Sequence, residues 1–390
     1  MKEIECDVLV IGAGPAGSSA AWGVAREDLD VIIIEKKKTP KKDACAETLS
    51  KVLLEYLPFK IPDRFLKWEL TGLKFYYEDL QITQDDGISW KSYPLNRNEF
   101  DPFVLDLAIK EGATFYPNTE FIDLKYNTDL IANEVFVQNT EDKESMKIKP
   151  KIIIAADGVE SNVLKKIGKY KEQKTATGYI KSYEFHDLPL DDYWYGHVFF
   201  GEFADGAYGY IFPKSETSAN IGIATLSSNN IDEKFNDFLK LIKDQISGSE
   251  KVVDRSGEAP IKNPSKKISY GNIMFAGDAA NQNFKPFLEG IIPGIICGSL
   301  AGKSAACCLT KIIELGDTYK KMINEKIGEL FTESDEMAKV LTSVYENKMK
   351  ERFLLELGIF SDKLNYKDLK QLEKLSKREV ELFINEKLNS

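Results

Sequence analysis

An apolar run that leads directly into a glycine-rich turn lies within the first 17 residues, and it restricts the fold more than any other segment. The run is Val8–Ile11, and residues 12–17 follow it with a GxGxxG pattern. This order is typical of a buried parallel strand, a tight turn and the start of a helix. In such a turn Gly12 permits the bend, Gly14 leaves room for a pyrophosphate and Gly17 lets helix and strand pack closely. We therefore predict an α/β fold with a dinucleotide phosphate at the N-terminus of its first helix.

A second apolar run supports this prediction. It spans Val31–Ile34 and ends in Glu35, about 20 residues beyond the first glycine. A carboxylate at this place accepts hydrogen bonds from a ribose diol, so Glu35 favours an adenosine ribose without a 2′-phosphate.

Two later segments have the same layout of an apolar strand followed by a turn. Residues 156–158 read Ala-Asp-Gly after the run Lys151–Ala155, and residues 277–280 read Gly-Asp-Ala-Ala after the run Ile273–Ala276. In this order and at these separations, the three glycine-containing segments resemble the FAD-dependent oxidoreductases of the aromatic-hydroxylase fold. The resemblance implies a Rossmann-like FAD-binding domain, and it places Asp278 beside the ribityl hydroxyls, which an acceptor-only carboxylate suits.

Within that superfamily the chain most resembles the archaeal geranylgeranyl reductases. Two segments carry this resemblance: Asp-Ala-Cys-Ala-Glu at 43–47, and Tyr208–Lys214, which is similar to the YxWxFPK pattern of these reductases. Tyr210 stands where the family usually has Trp. The resemblance implies that FAD is the cofactor and that it contacts residues from all of these segments: Gly12, Gly14, Ala16, Gly17, Glu35, Lys36, Cys45, Ala46, Arg97, Asp157, Gly158, Gly277, Asp278, Gly290 and Ile291.

The segment Arg97–Val104 is similar to the superfamily's RxxFDxxL pattern, with Val104 in place of the Leu. We expect it to begin a helix that ends near Glu111, with Asp101 as its cap. We expect the chain to come back to the flavin site at Arg97.

A glycine every four residues marks the late apolar segment, at Gly290, Gly294, Gly298 and Gly302. Glycines at this spacing share one helix face and allow another backbone or a flat cofactor to approach. Pro293 is tolerated in a first turn, so the helix should begin near residue 292, with its N-terminus toward the flavin. A helix that packs without any cofactor contact is the alternative.

Cys45 is the candidate catalytic residue, because the family places a cysteine close to the flavin and a thiol can donate a proton. A small core residue is the alternative interpretation of this cysteine.

Tyr208, Tyr210 and Phe212 alternate along a predicted strand and should therefore project to one face. The resemblance makes this face, with Pro213, one wall of a lipid slot. An ordinary aromatic core is the alternative.

The strand and helix patterns predict three regions. Residues 1–70, 94–170 and 268–316 form the FAD-binding domain, residues 71–93 and 171–267 form an antiparallel-sheet substrate domain, and residues 317–390 form a C-terminal helical region.

The resemblance predicts a reductase that saturates geranylgeranyl double bonds in archaeal-type membrane lipid precursors with hydride from flavin N5. An aromatic hydroxylase of the same fold is one alternative, although Asn281-Gln282-Asn283 stands where such hydroxylases commonly have His after the Gly-Asp-Ala-Ala turn. A non-catalytic flavin- and lipid-binding protein is another. The sequence has no second GxGxxG segment, so the electron donor stays open between ferredoxin, NAD(P)H and another low-potential carrier.

Composition restricts partners and location. The net charge of −10 disfavours nucleic acid, which needs a basic surface. The five cysteines show no metal-ligand spacing, so we expect no metal site and no disulfide framework. The N-terminus has no basic-then-apolar signal pattern, and the charge-free stretch of residues 290–302 is shorter than the about 20 residues of a bilayer span. We expect a cytoplasmic protein with, at most, peripheral contact at the inner face of the membrane.

Overall fold

The computed structural model describes most of the 390-residue chain. The described residues are 1–40, 44–173, 177–204, 207–285, 287–311, 314–343, 358, 363–364, 368, 371–372 and 375–389.

An eight-stranded sheet forms the first layer, in the order β16-β17-β10-β1-β2-β7, with β9 pairing the early part of β10 and β8 pairing β9. Its strands are β1 (Lys2–Ile11), β2 (Val31–Ile34), β7 (Thr114–Tyr116), β8 (Thr119–Tyr126), β9 (Ala132–Asn139), β10 (Ser145–Ala155), β16 (Ser269–Tyr270) and β17 (Ile273–Phe275).

The central strands are parallel, and the segments in which they pair side by side are apolar, at Val8–Ile11, Val31–Ile34 and Ile152–Ala155. A sheet covered on both faces requires such residues. Val8 pairs with Ile152 on one side and with Val31 on the other. Because these strands run in the same direction, the turns after residues 11, 34, 155 and 275 all lie at one edge of the sheet. Ligands bind at this edge in open α/β sheets.

A seven-stranded sheet forms a second layer, in the order β15-β11-β14-β13-β12-β4-β5. Its pairs are antiparallel except for β12 with β4. The strands are β4 (Gly72–Tyr77), β5 (Leu80–Gln84), β11 (Thr177–His186), β12 (Tyr195–Phe199), β13 (Gly209–Pro213), β14 (Ala219–Thr225) and β15 (Glu250–Pro260). A two-stranded sheet of β3 (Thr48–Ser50) and β6 (Ser92–Pro94) lies apart from both.

Eight α-helices are described. They are α1 (Pro15–Ala25), α2 (Arg97–Lys110), α3 (Asn162–Lys166), α4 (Tyr170–Gln173), α5 (Ile231–Leu241), α6 (Ile291–Lys311), α7 (Leu315–Ser343, with non-helical backbone at Ile327) and α8 (Lys377–Asn389). Short 3₁₀ helices occur at Lys51–Tyr56, Asp63–Phe65, Glu202–Ala204 and Gly277–Ala280.

The strands within residues 71–93 and 171–267 lie in the second sheet, except for β6, which pairs with β3. The domain boundaries themselves stay a prediction. The expected C-terminal helical region is described only in part, because most positions between α7 and α8 lie outside the described residues. Leu364, Leu372 and Ile384 from this region pack in the same apolar cluster as Tyr210.

Helices α1 and α6 pack against each other through the glycine stripe. A Cβ atom at Gly298 would lie 2.0 Å from the Ala16 carbonyl oxygen, and one at Gly302 would lie 2.2 Å from the Ala20 carbonyl oxygen. The Ser19 hydroxyl also donates to the carbonyl of Ile295, at 2.8 Å. The contacts advance together along both helices, so α1 and α6 are parallel. Ala16, in the first turn of α1, lies beside Gly298, which is about two turns inside α6. Along the stripe it is therefore the backbone of α1 that approaches Gly298 and Gly302.

Helix α6 begins at Ile291, close to the expected position, but it is longer than the sequence stretch indicated. Among the described residues, Ile291–Thr310 is long and apolar enough to cross a membrane, yet 78% of its apolar 18-residue stretch is buried inside the fold. The apolar residues of α6 are therefore used in the protein core.

The expected cap of α2 was wrong. Asn96 is the N-cap, with its side chain accepting from the backbone N–H of Asn98 at 3.1 Å. Asp101 lies one turn inside the helix and pairs with the Arg97 side chain instead. The Asp101 carboxylate pairs with Arg97, four residues earlier in the same helix, and the side chain of Asn96 caps the helix instead.

We expect Gly298→Val to lower the free energy of unfolding by at least about 2 kcal/mol, because the side chain must separate α1 from α6. Chemical denaturation followed by circular dichroism measures this change. Gly328→Ala in α7 is the matched control, since its Cβ would meet its first neighbour at 3.4 Å, and alanine is the better helix former. Equal stability of the Gly298→Val protein and the parent would contradict the packing described here.

Candidate active site

A cavity of about 530 Å³ lies between the two sheets, at the edge where the parallel strands end. This volume is within the range of small-molecule and cofactor sites. Its walls come from the turns after β1, β2, β10 and β17, from the start of α6, and from β13. The cavity thus connects the predicted dinucleotide site with the aromatic face of the second sheet.

The N-terminus of α1 forms one end of this cavity. Gly14 is the N-cap residue and supplies no side-chain hydrogen bond, so the first N–H groups of the helix have no side-chain cap. A Cβ at Gly14 would have no atom within 4 Å, whereas a Cβ at Gly12, where φ is +96°, would lie 2.5 Å from the Ala156 carbonyl oxygen. The open space above Gly14 and the positive end of the helix dipole suit a phosphate group.

Glu35 lies at the end of β2 beside this helix terminus. One carboxylate oxygen accepts from the Ala13 backbone N–H and the other from the Lys37 backbone N–H, both at 3.0 Å. Each oxygen keeps a lone pair, because an ionised carboxylate has about four acceptor positions. Glu35 can therefore accept from ribose hydroxyls while its own orientation is fixed.

Asp157 and Asp278 lie on the two turns that follow β10 and β17, and both line the cavity. The Oδ2 atom of Asp157 accepts from the Val163 backbone N–H at 3.1 Å, while Oδ1 is buried with no partner among the described residues. Burial raises the pKa of Asp157. Asp278 lies against Gly290, where a Cβ would be 3.3 Å from Oδ1. An orphaned carboxylate oxygen and a glycine held close to a second carboxylate both fit a polyhydroxylated cofactor.

The structure brings most of the predicted site residues to this one cavity. Those that line it are Gly12, Gly14, Ala16, Glu35, Lys36, Cys45, Ala46, Arg97, Asp157, Gly158, Tyr208, Tyr210, Phe212, Gly277, Asp278, Gly290 and Ile291.

Gly17 and Pro213 do not line the cavity. A Cβ at Gly17 would lie 1.8 Å from the Gly12 carbonyl oxygen, so this glycine serves the contact between helix and turn. Pro213 pairs with Ala219 in the second sheet and follows Phe212, so it belongs to the other face of β13. Asp43 of the predicted 43–47 motif lies outside the described residues.

Cys45 and Arg97 contact each other, which the sequence did not indicate. The Nη1 atom of Arg97 donates to the Cys45 sulfur at 3.4 Å, and the backbone N–H of Glu47 donates to the same sulfur at 3.3 Å. Arg97 also holds both carboxylate oxygens of Asp101, at 2.6 and 2.7 Å. Burial disfavours the charged guanidinium, but the Asp101 carboxylate outweighs it and raises the pKa of Arg97. The cysteine sulfur thus lies beside a fixed positive charge.

A buried ion network, also absent from the sequence predictions, holds the segment that carries Cys45. Lys214 contacts Glu47 at 3.0 Å and Glu184 at 3.5 Å, and Arg255 contacts the same two carboxylates at 3.4 and 3.2 Å. Burial alone would raise the pKa of Glu184, but Lys214 and Arg255 lower it overall. Lys214, which ends the YxWxFPK-like segment, was the one sequence signal for this network, because a lysine that is largely removed from water needs carboxylate partners.

The aromatic wall is formed by alternate residues of one strand and the residue before it. Tyr208, Tyr210 and Phe212 all line the cavity, and the rings of Tyr210 and Phe212 stack at 5.1 Å. Tyr210 pairs with Gly222 on β14, where a Cβ would lie 2.4 Å from the Tyr210 hydroxyl oxygen. Gly222 therefore makes the space into which this tyrosine extends. Burial raises the pKa of Tyr210 well above its usual range, so its hydroxyl stays neutral.

Asn281, Gln282 and Asn283, the residues after the Gly-Asp-Ala-Ala turn, are buried and do not line the cavity. The Gln282 side-chain oxygen accepts from the Gly277 backbone N–H at 2.7 Å, and the Asn283 amide donates to the Pro260 carbonyl at 2.8 Å. Their amides hold the turn that presents Asp278.

With this geometry in place, the similarity to known proteins is specific. A family model described as FAD binding domain matches residues 5–284. Digeranylgeranylglycerophospholipid reductase 1 of Methanothermobacter thermautotrophicus is 30% identical over 345 residues, which cover 83% of this chain and 84% of that protein. The chain belongs to the digeranylgeranylglycerophospholipid reductase family. FAD is its cofactor, and the predicted family, fold class and cofactor are confirmed.

Other members of this family and solved structures agree with this assignment. The digeranylgeranylglycerophospholipid reductase of Methanocaldococcus jannaschii is 30% identical and covers 82% of this chain and 80% of its own length. A geranylgeranyl bacteriochlorophyll reductase-like protein from Thermoplasma acidophilum has the same fold, with a TM-score of 0.82 at 21% identity and coverage of 99% and 100%. The structure of a flavin-dependent brominase is less similar to this chain, with a TM-score of 0.69 at 14% identity and coverage of 95% of this chain and 98% of that one.

We expect Gly14→Ala to weaken FAD binding at least 10-fold, because its methyl group would occupy the space reserved for the pyrophosphate. The apoprotein should lose at most about 1 kcal/mol of stability, since that methyl meets no protein atom and alanine is only a poorer N-cap. Titration of apoprotein with FAD, followed by flavin fluorescence, measures the affinity.

Gly12→Ala is the contrasting variant, because its Cβ clashes with Ala156 and its backbone is left-handed. It should destabilise the apoprotein itself. Unchanged FAD affinity in the Gly14→Ala protein would place the phosphates elsewhere.

Proposed function

We propose that this protein is an FAD-dependent reductase that saturates double bonds of geranylgeranyl chains in archaeal-type membrane lipid precursors. One observation carries this proposal: a single cavity joins the dinucleotide cradle at Gly14 and Glu35 to the aromatic wall of Tyr208, Tyr210 and Phe212. The named function of the relatives in this family agrees with it.

The substrate's chemistry explains why an apolar wall faces the cofactor site. A prenyl chain has no charged group near its double bonds, so its binding depends on removal of apolar surface from water, at about 0.8 kcal/mol for each buried CH₂. An isolated alkene has no carbonyl to polarise, so the transition state of its reduction carries positive charge on carbon. The faces of Tyr210 and Phe212 can stabilise that charge in a site without water.

Reduced FAD supplies a hydride from N5, and this chain's residues orient the reacting groups around it. The N-terminus of α6, at Ile291, and the neighbouring Gly290 place the positive end of a helix dipole at the cavity, where it stabilises negative charge on a reduced ring. Asp278 would hold the ribityl chain, and Glu35 would hold the adenosine ribose.

Two observations favour this reductase over a hydroxylase of the same fold. The three amide residues 281–283 are used to hold the turn and leave the cavity wall to other side chains. The reductase-like fold, with a TM-score of 0.82, also matches more closely than that of a probable FAD-dependent monooxygenase from Pseudomonas aeruginosa, with a TM-score of 0.65. A carrier without turnover would not need the charged pair of Arg97 and Asp101 buried at the same cavity.

The electrons come from a low-potential carrier outside this chain, either ferredoxin, NAD(P)H or another reductant of this class. Each reduction cycle consumes one electron pair from it. Anaerobic mixing of the oxidised protein with each carrier, followed at the flavin absorbance, identifies the donor, and no bleaching with any of them would contradict an external carrier of this kind.

The reaction itself is tested with chemically reduced protein under anaerobic conditions. We expect added digeranylgeranylglycerophospholipid to reoxidise the flavin and to gain two hydrogen atoms for each double bond, as measured by mass spectrometry. Oxygen should not be required. No gain of hydrogen, together with product formation only in the presence of oxygen, would instead support the hydroxylase.

We also propose peripheral contact with a membrane surface, near the cavity's aromatic end. Trp90 lines the cavity, and Ile88, two residues before it, is 49% exposed. Trp194, which is 44% exposed, is held next to the same region by a hydrogen bond from the Thr71 backbone N–H to its carbonyl. Tryptophan is favoured at membrane interfaces. The acidic net charge means that this contact depends on apolar side chains more than on lipid charge.

We expect the double variant Ile88→Glu and Trp194→Glu to sediment at least fivefold less with phosphatidylcholine vesicles than the parent, because each change removes apolar surface and adds charge. Turnover of detergent-dispersed lipid should persist. A matched control is Leu241→Glu in α5, which changes a residue that is 61% exposed on the opposite side of the second sheet. Equal sedimentation of the parent and the double variant would contradict contact at this surface.

A further inference from the structure

Glu289 has a fixed place at the point where the two halves of the cavity meet. Its backbone exchanges two hydrogen bonds with Phe284, at 2.8 and 3.0 Å, which form an isolated bridge. The preceding Leu288 has a φ of +57°, a left-handed conformation that is rare and costly for a leucine. Strain of this kind persists where the surrounding structure enforces it, often at functional sites.

The neighbours of Glu289 belong to both halves of the site. Phe287 accepts a hydrogen bond from the Tyr208 hydroxyl at 2.9 Å, and its ring packs edge-on against Trp90 at 6.5 Å. Gly290, on the other side, lies against Asp278. Phe287, Glu289 and Gly290 all line the cavity. The carboxyl group therefore lies between the aromatic wall and the cofactor cradle.

The carboxyl group of Glu289 has few polar neighbours. Its Oε1 atom is inaccessible to water and has no hydrogen-bond partner among the described residues. Burial raises the pKa of Glu289 to about 8, and a hydrogen bond from the Ser50 backbone amide opposes this only in part. The charged residues Arg97, Asp278 and Lys91 also line the cavity, but the raised pKa of Glu289 is caused by burial. The Glu289 carboxyl group is therefore protonated near pH 7 and can donate its proton.

Cys45, the other candidate acid, is arranged differently. Its sulfur accepts hydrogen bonds from Arg97 and from the Glu47 backbone N–H. Both donors contact the sulfur directly, so they hold the Cys45 side chain in place at the cavity wall.

We propose that Glu289 is the general acid of the reduction and that Cys45 with Arg97 positions the site. This inference rests on the proposed function and assigns a step within it. One alkene carbon takes the proton of the Glu289 carboxyl group, and the other takes a hydride from reduced FAD. The C=C π bond is lost, two C–H bonds form, the alkene is reduced and FAD is oxidised. The Glu289 carboxylate then regains a proton from water.

Single-turnover experiments on the reduced holoprotein test this assignment. Glu289→Gln keeps the shape and the hydrogen-bonding capacity but removes the acidic proton, so flavin reoxidation by digeranylgeranylglycerophospholipid at pH 7 should slow about 100-fold or more. In the parent the rate should fall as the pH rises through about 8, because the acid ionises. Glu289→Gln should lose this pH dependence, Cys45→Ser should keep it, and Glu289→Asp should restore part of the rate.

The matched control is Glu69→Gln, which changes a part-buried carboxylate paired with Lys51 outside the cavity. It should leave the rate and the pH profile unchanged. A Glu289→Gln rate within threefold of the parent, or loss of the pH dependence in Cys45→Ser instead, would overturn the assignment.

The protonation state is measured independently of turnover. In the protein labelled with ¹³C at glutamate carboxyl carbons, one resonance should titrate near pH 8 and be missing from Glu289→Gln. Titration of that resonance below pH 6 would overturn the proposal even if the variant is slow. If the parent saturates no prenyl lipid, the proposed function fails; if the parent is active and Glu289→Gln is equally active, only this inference fails.

Discussion

The parallel packing of α1 against α6 is the contact on which the site depends. Gly298 and Gly302 allow the two backbones to touch at Ala16 and Ala20, closer than any side chain would permit. Because the helices run in the same direction, both N-termini open on one cavity. Each N-terminus carries the positive end of a helix dipole and favours an anion near it. A cofactor that carries a pyrophosphate, and that becomes negatively charged on its ring when reduced, satisfies both ends.

The second sheet supplies the aromatic wall of the cavity. Its aromatic residues are divided by the strand pleat: Tyr210 and Phe212 face the cavity, while Ile211 packs with Phe235 and Phe238 of α5 on the opposite face. The buried network of Lys214, Arg255, Glu47 and Glu184 then ties this sheet to the segment that carries Cys45. Charged residues at the interior of the interface fix the two layers relative to each other, since a misplaced partner would leave a buried charge unpaired.

Sequence reasoning succeeded where local chemistry dictates position. The left-handed turn at Gly12, the carboxylate at the end of β2 and the alternation of Tyr208, Tyr210 and Phe212 each follow from a short segment and a known period. It failed where burial decides between possible partners, or where the partner is remote in the chain. Asp101 was expected to cap α2, but the Arg97 guanidinium took both of its oxygens. The contact between Arg97 and Cys45 spans the gap from α2 to the 43–47 segment, and no pattern in either segment indicates it.

The sequence by itself determined the α/β class, the strand–turn–helix that begins it, the family and the cofactor, because these depend on residue order and spacing within short segments. The tertiary structure alone decided that Gly298 and Gly302 serve a helix contact and that Asn281–Asn283 hold a turn. It also decided that one oxygen of Glu289, between the aromatic wall and the cradle, has no hydrogen-bond partner among the described residues. The physical reason is that burial, dielectric environment and remote partners set the state of an ionisable or small residue. These are properties of the packed molecule, and a residue's neighbours in the chain do not specify them.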